Sequence, residues 1–390
     1  MTIVVVGIGA DGWAGLGEPA RAEVARCDVL FGSRRQLALL PPDLGPDIEK
    51  VPWPSPLLPA LDDLFAEHAG KRIGVLASGD PLLSGIGTTL RKRFGAVRIV
   101  PGVSSVALAR ARLGWSAEET EVISVVGRSV HRVTRALAPG RRILVLGSAP
   151  REVAELLTER GFGDSALTVL EHLAGPDERC VRGLARTWTE PAAELNVLAI
   201  DCAGGPALPG FGLPDEVFDH DGQLTKRELR ACALARLAPV PGELLWDVGA
   251  GAGSVAIEWS RAHPSNRAVA IERNADRAAR VRRNADRLGV PEVRVVEGTA
   301  PDVLSGLPTP QAVFLGGGLA ALDACFSALA PGGRLVSHAV TLESEQALAA
   351  AYTRHGGELI RIGVERAAPL GSFTGWTPAR TVTQWSVRKP

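Results

Sequence analysis

Net charge is the first thing this sequence of 390 residues lacks: 43 lysines and arginines stand against 43 aspartates and glutamates. Binders of polyanions usually carry a basic excess, so the balance argues against nucleic acid and against an anionic membrane surface as partners. Cysteine is sparse. Cys27, Cys180, Cys202, Cys232 and Cys325 stand far apart with no C-x-x-C pair, which argues against a zinc site and, at this length, against a disulfide framework. The seven histidines are dispersed as well, and no metal is expected. No apolar run approaches the ~20 residues that span a bilayer. The opening MTIVVVGIG has no basic segment, and glycine interrupts its apolar run early; a signal peptide is not expected. These absences leave a cytoplasmic enzyme with reduced thiols as the expectation.

A chain this long exceeds one hydrophobic core, since domains average about 100–200 residues. Residues 201–222 read DCAGGPALPGFGLPDEVFDHDG. Glycine and proline crowd together there and periodicity disappears, as in a linker between domains. The reading is a first domain over 1–203, a linker over 204–220 with the break near Pro206, and a second domain over 221–390. Both halves alternate short apolar strands with longer helix-like segments, which predicts α/β architecture throughout.

In the second half, residues 245–259 read LWDVGAGAGSVAIEW. The pattern predicts a strand over 243–247, a turn at Gly249, Gly251 and Gly253, and a helix over 255–263. A strand, a glycine turn and a helix N-terminus, with Ser254 at the junction, make a site where backbone N–H groups face a ligand. A tight turn with no ligand is the alternative. The dinucleotide fingerprint G-x-G-x-x-G would put its third glycine at Ser254. Here it comes one residue early, with Asp247 two residues before the first. That spacing resembles the S-adenosylmethionine (SAM) site of class I methyltransferases. The methionine end of SAM carries a carboxylate and an ammonium, which suit a glycine turn beside an acid. A second strand over 267–271 ends in Glu272, placed to accept both ribose hydroxyls, although a solvated strand end would look the same. A third, over 293–296, leads to Gly298, Thr299 and Ala300, where the adenine edge lies in the resembled fold. Strands over 312–315 and 334–340 follow, and 358–365 with 379–388 are expected as a closing antiparallel pair.

The fourth strand ends in FLGGG, not in the Asn- or Asp-Pro-Pro-Tyr of enzymes that methylate exocyclic amines of bases, and there is no Pro-Cys nucleophile motif. The three glycines, with Gly317 at their centre, leave room for a large flat substrate; a loose loop is the competing reading. Upstream stands DGQLTKRELRACALARL. Thr225 and Glu228 have capping-box spacing, and Leu229, Cys232, Ala233 and Leu237 form an apolar stripe. Lys226 and Arg230 share one face near the positive end of that helix, and two cations there make sense beside a docked anion. GQLTKRELRA followed by the glycine turn resembles the C-15-methylating, decarboxylating methyltransferases of corrin-ring biosynthesis, over residues 215–390. The resemblance implies SAM contacts at Thr225, Gly249 to Gly253, Glu272 and Ala300.

The first half opens IVVVGIGADG, matching G-x-G-x-x-G at Gly7, Gly9 and Gly12. No helix is expected after Gly12, where the chain continues WAGLGEP, and no acid closes a second strand about 20 residues on, as the dinucleotide fingerprint requires. RIGVLASGDPLLSGIG and VRIVPGVSSVALARARLGW each put a turn directly after an apolar strand. Gly79-Asp80-Pro81 and Pro101-Gly102-Val103 are turns by composition, and Ser104 or Ser105 caps the next helix. Together these turns resemble the tetrapyrrole methylase family, the class III methyltransferases, over residues 1–203. The resemblance implies SAM folded in a cleft between two α/β lobes, near Gly9, Asp80, Leu83, Ser104 and Ser105. VLEHLAGPDERC (169–180) resembles the second-lobe signature of the C-5-methylating corrin branch. Two departures stand out: Val126-Gly127-Arg128 where that branch often has His-Gly-Arg, and Ala149-Pro150 where Thr-Pro is usual.

The two resemblances imply one SAM site per domain and a bifunctional C-methyltransferase of cobalamin biosynthesis. The N-terminal domain would methylate a precorrin at C-5. The C-terminal domain would methylate C-15 and remove carbon dioxide from the C-12 acetate, so that precorrin-6B becomes precorrin-8X. A methylase of another tetrapyrrole position is the alternative. The nucleophile is a carbon of the substrate, so the protein's task is alignment. The substrate's carboxylates make Arg128, Lys226 and Arg230 candidate anchors. His338, at a strand end, is a candidate proton shuttle, with a satisfied core histidine as the competing reading. A homo-oligomer is expected because both folds usually self-associate.

Overall fold

The structure, a computed structural model, describes residues 2–390 and falls into two units, Met1–Pro206 and Ala207–Pro390. Among the described residues no helix is long and apolar enough to cross a membrane.

The first unit holds two sheets. β1 (Thr2–Ile8), β2 (Val29–Gly32), β3 (Glu49–Pro52), β4 (Arg72–Ser78) and β5 (Val97–Val100) form a parallel sheet in the order β3-β2-β4-β1-β5. The IVVV run of β1 is apolar at every position because both faces of a central parallel strand are covered. Its residues sort by the twofold period of a strand. Ile3 and Val5 join one cluster with Phe31, Phe65 and Val75, while Val4 and Val6 join another with Leu30 and Leu76. The order also brings the carboxyl ends of β4, β1 and β5 side by side, and open α/β sheets bind ligands at that edge.

One expectation fails here. A single-turn helix, Gly12–Gly15, does open at Gly12, and helix Glu18–Ala25 follows it. β2 ends in Gly32 with no acid.

The second sheet contains β6 (Thr120–Ser124), β7 (Arg142–Leu146), β8 (Ala166–Glu171), β9 (Arg179–Leu184) and β10 (Asn196–Asp201) in the order β6-β7-β10-β8-β9. β6 and β7 run parallel, and the other pairs run antiparallel. The 169–180 signature locks its own turn by charge. Glu171 accepts from Arg179 Nε at 2.6 Å and from Ala193 N at 2.7 Å. Glu178 accepts from Arg112 Nε at 2.5 Å and from Ala174 N at 2.7 Å. Ala149 precedes helix Pro150–Glu159 without a side-chain cap; a threonine there would supply one.

The second unit is a seven-stranded sheet with order β13-β12-β11-β14-β15-β19-β16. Its strands are β11 (Leu244–Val248), β12 (Arg267–Glu272), β13 (Arg294–Glu297), β14 (Ala312–Leu315), β15 (Arg334–Ala339), β16 (Glu358–Ile362) and β19 (Val382–Arg388). β11 to β15 are parallel, and β19 runs antiparallel between β15 and β16. A separate hairpin, β17 (Glu365–Leu370) and β18 (Phe373–Pro378), was not expected.

The segment read as a linker is mostly built into this second unit. Leu213 is fully buried and Phe218 nearly so, in one cluster with Leu234, Val255 and Trp259. Asn284, on helix Ala275–Arg287, fastens the segment further: its Oδ1 accepts from Asp219 N and its Nδ2 donates to Asp219 O, both at 2.9 Å. Glycine and proline abolish periodicity without abolishing burial, which is why composition alone reads such a strap as loose chain.

Candidate active sites

In the second unit, a cavity of about 500 Å³ lies at the carboxyl ends of β11, β12 and β14. The turn after β11 needs its glycines. Each has positive φ, and a Cβ on Gly251 would stand 2.6 Å from Gln223 O, while one on Gly253 would stand 2.6 Å from Val281 Cγ1. Gly249 and Gly251 line the cavity; Gly253 and Ser254 do not. Ser254 instead begins the buried helix Ser254–Ala262.

Glu272 closes β12 and is 5% exposed. Its Oε2 accepts from Gly251 N at 2.9 Å and its Oε1 from Asn274 N at 3.0 Å. Each oxygen keeps a further lone pair, and the carboxylate lines the cavity with Gly298, Thr299 and Ala300. Asp247 does not reach the cavity. It lies beneath the turn, where Oδ2 accepts from Ala256 N at 3.0 Å. Burial, with Glu272 nearby and against the Ala256 bond, pushes its carboxyl up to about 7. Its place is in holding the helix N-terminus to β11.

The two expected cations separate. Helix Arg227–Leu237 begins one residue later than a Thr225 cap requires: Lys226 stands at the N-cap and no side chain caps. The capping box therefore does not form, and Thr225 lines the cavity instead. Lys226 also lines it, half exposed and 3.7 Å from Asp215 Oδ2. Arg230 is wholly buried and does not line it. Its Nε donates to Glu258 Oε1 at 2.5 Å, its Nη1 to Asp215 Oδ1 at 3.2 Å and to Thr225 O at 2.6 Å, and its Nη2 to Leu213 O. Arg230 is thus a structural ion and not a substrate anchor. Four residues on, along a helix, fixes a shared face but not which face meets solvent.

His338, near the end of β15, does line the cavity, as does Gly317. The ring stands edge-on to Phe314 at 5.2 Å, and Nε2 lies 2.9 Å from Gln384 Oε1. Burial pulls its pKa below the usual histidine value, against the Gln384 bond. An amide oxygen only accepts, so a neutral His338 carries its proton on Nε2 and keeps the Nδ1 lone pair. The sequence reading missed Gln223, Arg273 and Arg277, all at the cavity wall. Arg277 Nε donates to Asp221 Oδ2 at 2.9 Å, and that contact, with others, holds the Asp221 carboxyl far below the usual range. Asp221 itself, next to the T-K motif, was the available signal for Arg277.

In the first unit the three turns after β1, β4 and β5 meet backbone to backbone. Gly102 N donates to Gly79 O at 3.0 Å and Gly79 N to Ile8 O at 3.1 Å. A Cβ on Gly7 would fall within bonding distance of the Gly79 carbonyl oxygen. Beside them is a cavity of about 90 Å³, lined by Gly9 and Ser105 and, unforeseen, by Arg35, Ser78 and Asn196. Asn196 Nδ2 donates to Ala193 O at 2.6 Å, while its Oδ1 is buried with no partner. Buried acceptors are ordinarily paired, so this oxygen suits a ligand N–H. Asp80, Leu83 and Ser104 do not line the cavity. Asp80 Oδ1 accepts from Leu82 N at 2.9 Å and Ser104 Oγ caps its helix at Ala107 N, 3.1 Å; their polar atoms shape the turns. Arg128 is exposed after β6, away from the cavity.

Comparison with known proteins bears on both halves. Residues 216–389 match the model of the Precorrin methyltransferase domain, and residues 2–188 that of the Tetrapyrrole (Corrin/Porphyrin) Methylases. A precorrin-6Y C(5,15)-methyltransferase (decarboxylating) of Mycobacterium tuberculosis (strain CDC 1551 / Oshkosh) is 48% identical over 398 aligned positions, covering 99% of this chain and 100% of that protein. Two proteins of Salmonella typhimurium (strain LT2) match one half each. A cobalt-precorrin-7 C(5)-methyltransferase is 36% identical over 209 positions, 51% of this chain and 98% of that protein. A cobalt-precorrin-6B C(15)-methyltransferase (decarboxylating) is 33% identical over 180 positions, 44% of this chain and 92% of that protein.

Proposed function

The chain belongs to the precorrin-6Y C(5,15)-methyltransferases (decarboxylating), and from that premise we propose how its two units share the work. It is a SAM-dependent C-methyltransferase acting on a precorrin in cobalamin biosynthesis. The first unit methylates C-5. The second methylates C-15 and removes the C-12 acetate carboxyl. The observation that carries this division is that each unit has its own glycine-turn cavity at the carboxyl edge of a parallel sheet, and each resembles a separate enzyme named for one of the two methylations. Those names put the C-15 step on a 6B and the C-5 step on a 7 intermediate, so we infer that the second unit acts first.

SAM, when bound, supplies an electrophilic methyl group. In the second unit Glu272 accepts from the ribose hydroxyls through the lone pairs its amide partners leave free. Gly298, Thr299 and Ala300 border the adenine. Gly249 and Gly251, their amides spent on Ile271 O and the Glu272 carboxylate, border the methionine end by close backbone approach, and Thr225 closes the other side. Across the cavity Gly317 leaves space for the flat macrocycle, and Lys226 meets one of its carboxylates. The gain from such positioning is one of proximity and orientation. Loss of carbon dioxide leaves a methylene carbon that must take up a proton; His338, with its ring fixed by Gln384 and Phe314, is the group we assign to relay it, Nδ1 first taking a proton from solvent and then giving it to that carbon. In the first unit Gly9 and Ser105 border the cofactor, and Asn196 Oδ1 accepts one of its N–H groups.

We also propose that the chain is a homo-oligomer. Its hairpin leaves Leu370, Phe373 and Trp376 at least 66% exposed, and large apolar side chains clustered at a surface mark an association site.

The test uses the whole chain with precorrin-6B and SAM, read by mass spectrometry. Wild type should lose carbon dioxide and gain two methyls. Glu272→Ala should block both C-15 methylation and decarboxylation. A Glu272→Ala chain that still methylates C-15 would refute the assignment to the second unit.

A further inference from the structure

In the first unit one cation without a carboxylate partner lines the cavity. Arg72, Arg93 and Arg98 of the same lobe each pair with a carboxylate. Arg35 does not. It follows β2 on helix Arg34–Ala38, lines the 90 Å³ cavity, and donates Nη2 to Ser78 Oγ at 3.1 Å. Among the described residues it forms no ion pair; Glu194 favours its charge only from beyond that range. Partial burial draws the guanidinium below its ordinary value, and Glu194 acts the other way.

The neutral partner is itself held in place. Ser78 Oγ also accepts from Gln36 Nε2 at 3.1 Å. Gln36 is buried, and its amide oxygen accepts from Ser33 N at 2.8 Å while Ser33 Oγ accepts from Gln36 N at 3.2 Å. Two donors occupy both lone pairs of the Ser78 hydroxyl, so its own hydrogen is left to donate. The remaining N–H groups of the guanidinium and the hydroxyl hydrogen, fixed together by a reciprocal cap, leave donors for which the structure gives no carboxylate acceptor at a cavity wall.

We propose that Arg35 and Ser78 form a carboxylate-binding subsite of the C-5 methylation cleft. The inference rests on the assignment of C-5 methylation to this unit. The carboxylate belongs either to a side chain of the macrocycle or to the methionine end of the cofactor, since both bring the same chemistry. Arg35 offers a planar bidentate grip, and Ser78 adds one hydrogen bond. Bound there, the macrocycle would be fixed in register, so that one meso carbon and no other meets the methyl group.

The experiment compares full-length wild type with Arg35→Met and Ser78→Ala. Three quantities are read: KM and kcat for C-5 methylation of precorrin-7, the Kd of S-adenosylhomocysteine by calorimetry, and the C-15 reaction on precorrin-6B as an internal reference. Removing a charge-assisted contact should weaken binding about ten- to hundredfold in Arg35→Met, and a neutral one about three- to tenfold in Ser78→Ala. If KM for the precorrin rises while the homocysteine product binds as before, the carboxylate is the macrocycle's. If the product's Kd rises in the same proportion, it is the cofactor's. If both stay within twofold of wild type while C-15 turnover is intact, the subsite does not exist. Wild type that adds no methyl to precorrin-7 would remove the underlying assignment instead.

Discussion

The glycine turn after β11 borders about 500 Å³ of open cavity, whereas the three turns after β1, β4 and β5 close on about 90 Å³. A cofactor-sized ligand needs roughly 300 Å³ or more. The second unit offers that space beside its turn; the first offers less beside its own. The cause lies in what the glycines touch. In the second unit they pack on a strap, a helix and the β14 loop, around the rim. In the first unit they pack on one another, so the turns that frame the site also fill it. The difference also shows in the acids. Glu272 grips its turn and still faces the cavity, while Asp80 spends its carboxylate on Leu82 N.

Four perturbations test that contrast, the severest first. Gly7→Ala drives a methyl into the Gly79 carbonyl, which has no room to move. We expect at least about 3 kcal/mol of destabilisation confined to the first unit, read as loss of C-5 methylation with C-15 chemistry retained. A fully active variant would mean the turns separate freely. Arg230→Met leaves Glu258 without its counter-ion and Asp215 with Lys226 alone. Breaking one side of a buried pair removes about 3–5 kcal/mol, so calorimetry should show the second unit melting earlier. Adding Glu258→Gln, which discards the charge and keeps an oxygen for one of the Gly212 and Leu213 amides, should restore part of the loss; no restoration would argue that the charge is not the cause.

Glu272→Gln keeps the shape of the side chain and discards its charge. Titration with S-adenosylhomocysteine should show one of two sites weakened about ten- to hundredfold and the other unchanged. Two sites weakened together would erase the distinction drawn here. Asp247→Asn is the mildest. The folded carboxyl titrates at about 7 against an ordinary 3.8. Its protonated form is therefore favoured by folding, and that contribution is complete below pH 3.8 and lost as pH rises through 7. The asparagine variant should gain stability relative to wild type as pH rises from about 4 to about 7, by up to about 1.4 kcal/mol per pH unit, and level off above that. Parallel curves across that window would show that Asp247 is ionised throughout.

Periodicity placed β11 to β15 within a residue, because parallel strands buried on both faces are uninterrupted apolar runs. It missed the β17–β18 hairpin. Gly371-Ser372 between the two runs was the readable signal, but Pro369, Gly375 and Pro378 broke the alternation around it. Among site residues, those on the backbone path of a turn were legible: Gly249, Gly251 and Glu272 sit where spacing alone puts them. Side-chain direction was not. Arg230 and Lys226 look equivalent in sequence, yet one is a buried counter-ion and the other faces the cavity. Arg35 belongs to no motif at all. Its place depends on β2 and β4 being neighbours in the sheet, a relation of tertiary order that no local window contains.

The hub around Glu258 also sets how small an independent gene for the second activity can be. Glu258 Oε2 accepts from Gly212 N at 2.7 Å and Oε1 from Leu213 N at 3.0 Å. A reading frame opened at Gly222 would encode every residue that lines the cavity and still omit both of those amides. The carboxylate would then face the interior with arginine as its sole partner. Recombination that moves this activity between chains therefore has to cut upstream of residue 212, in sequence that looks expendable and carries no recognisable signature.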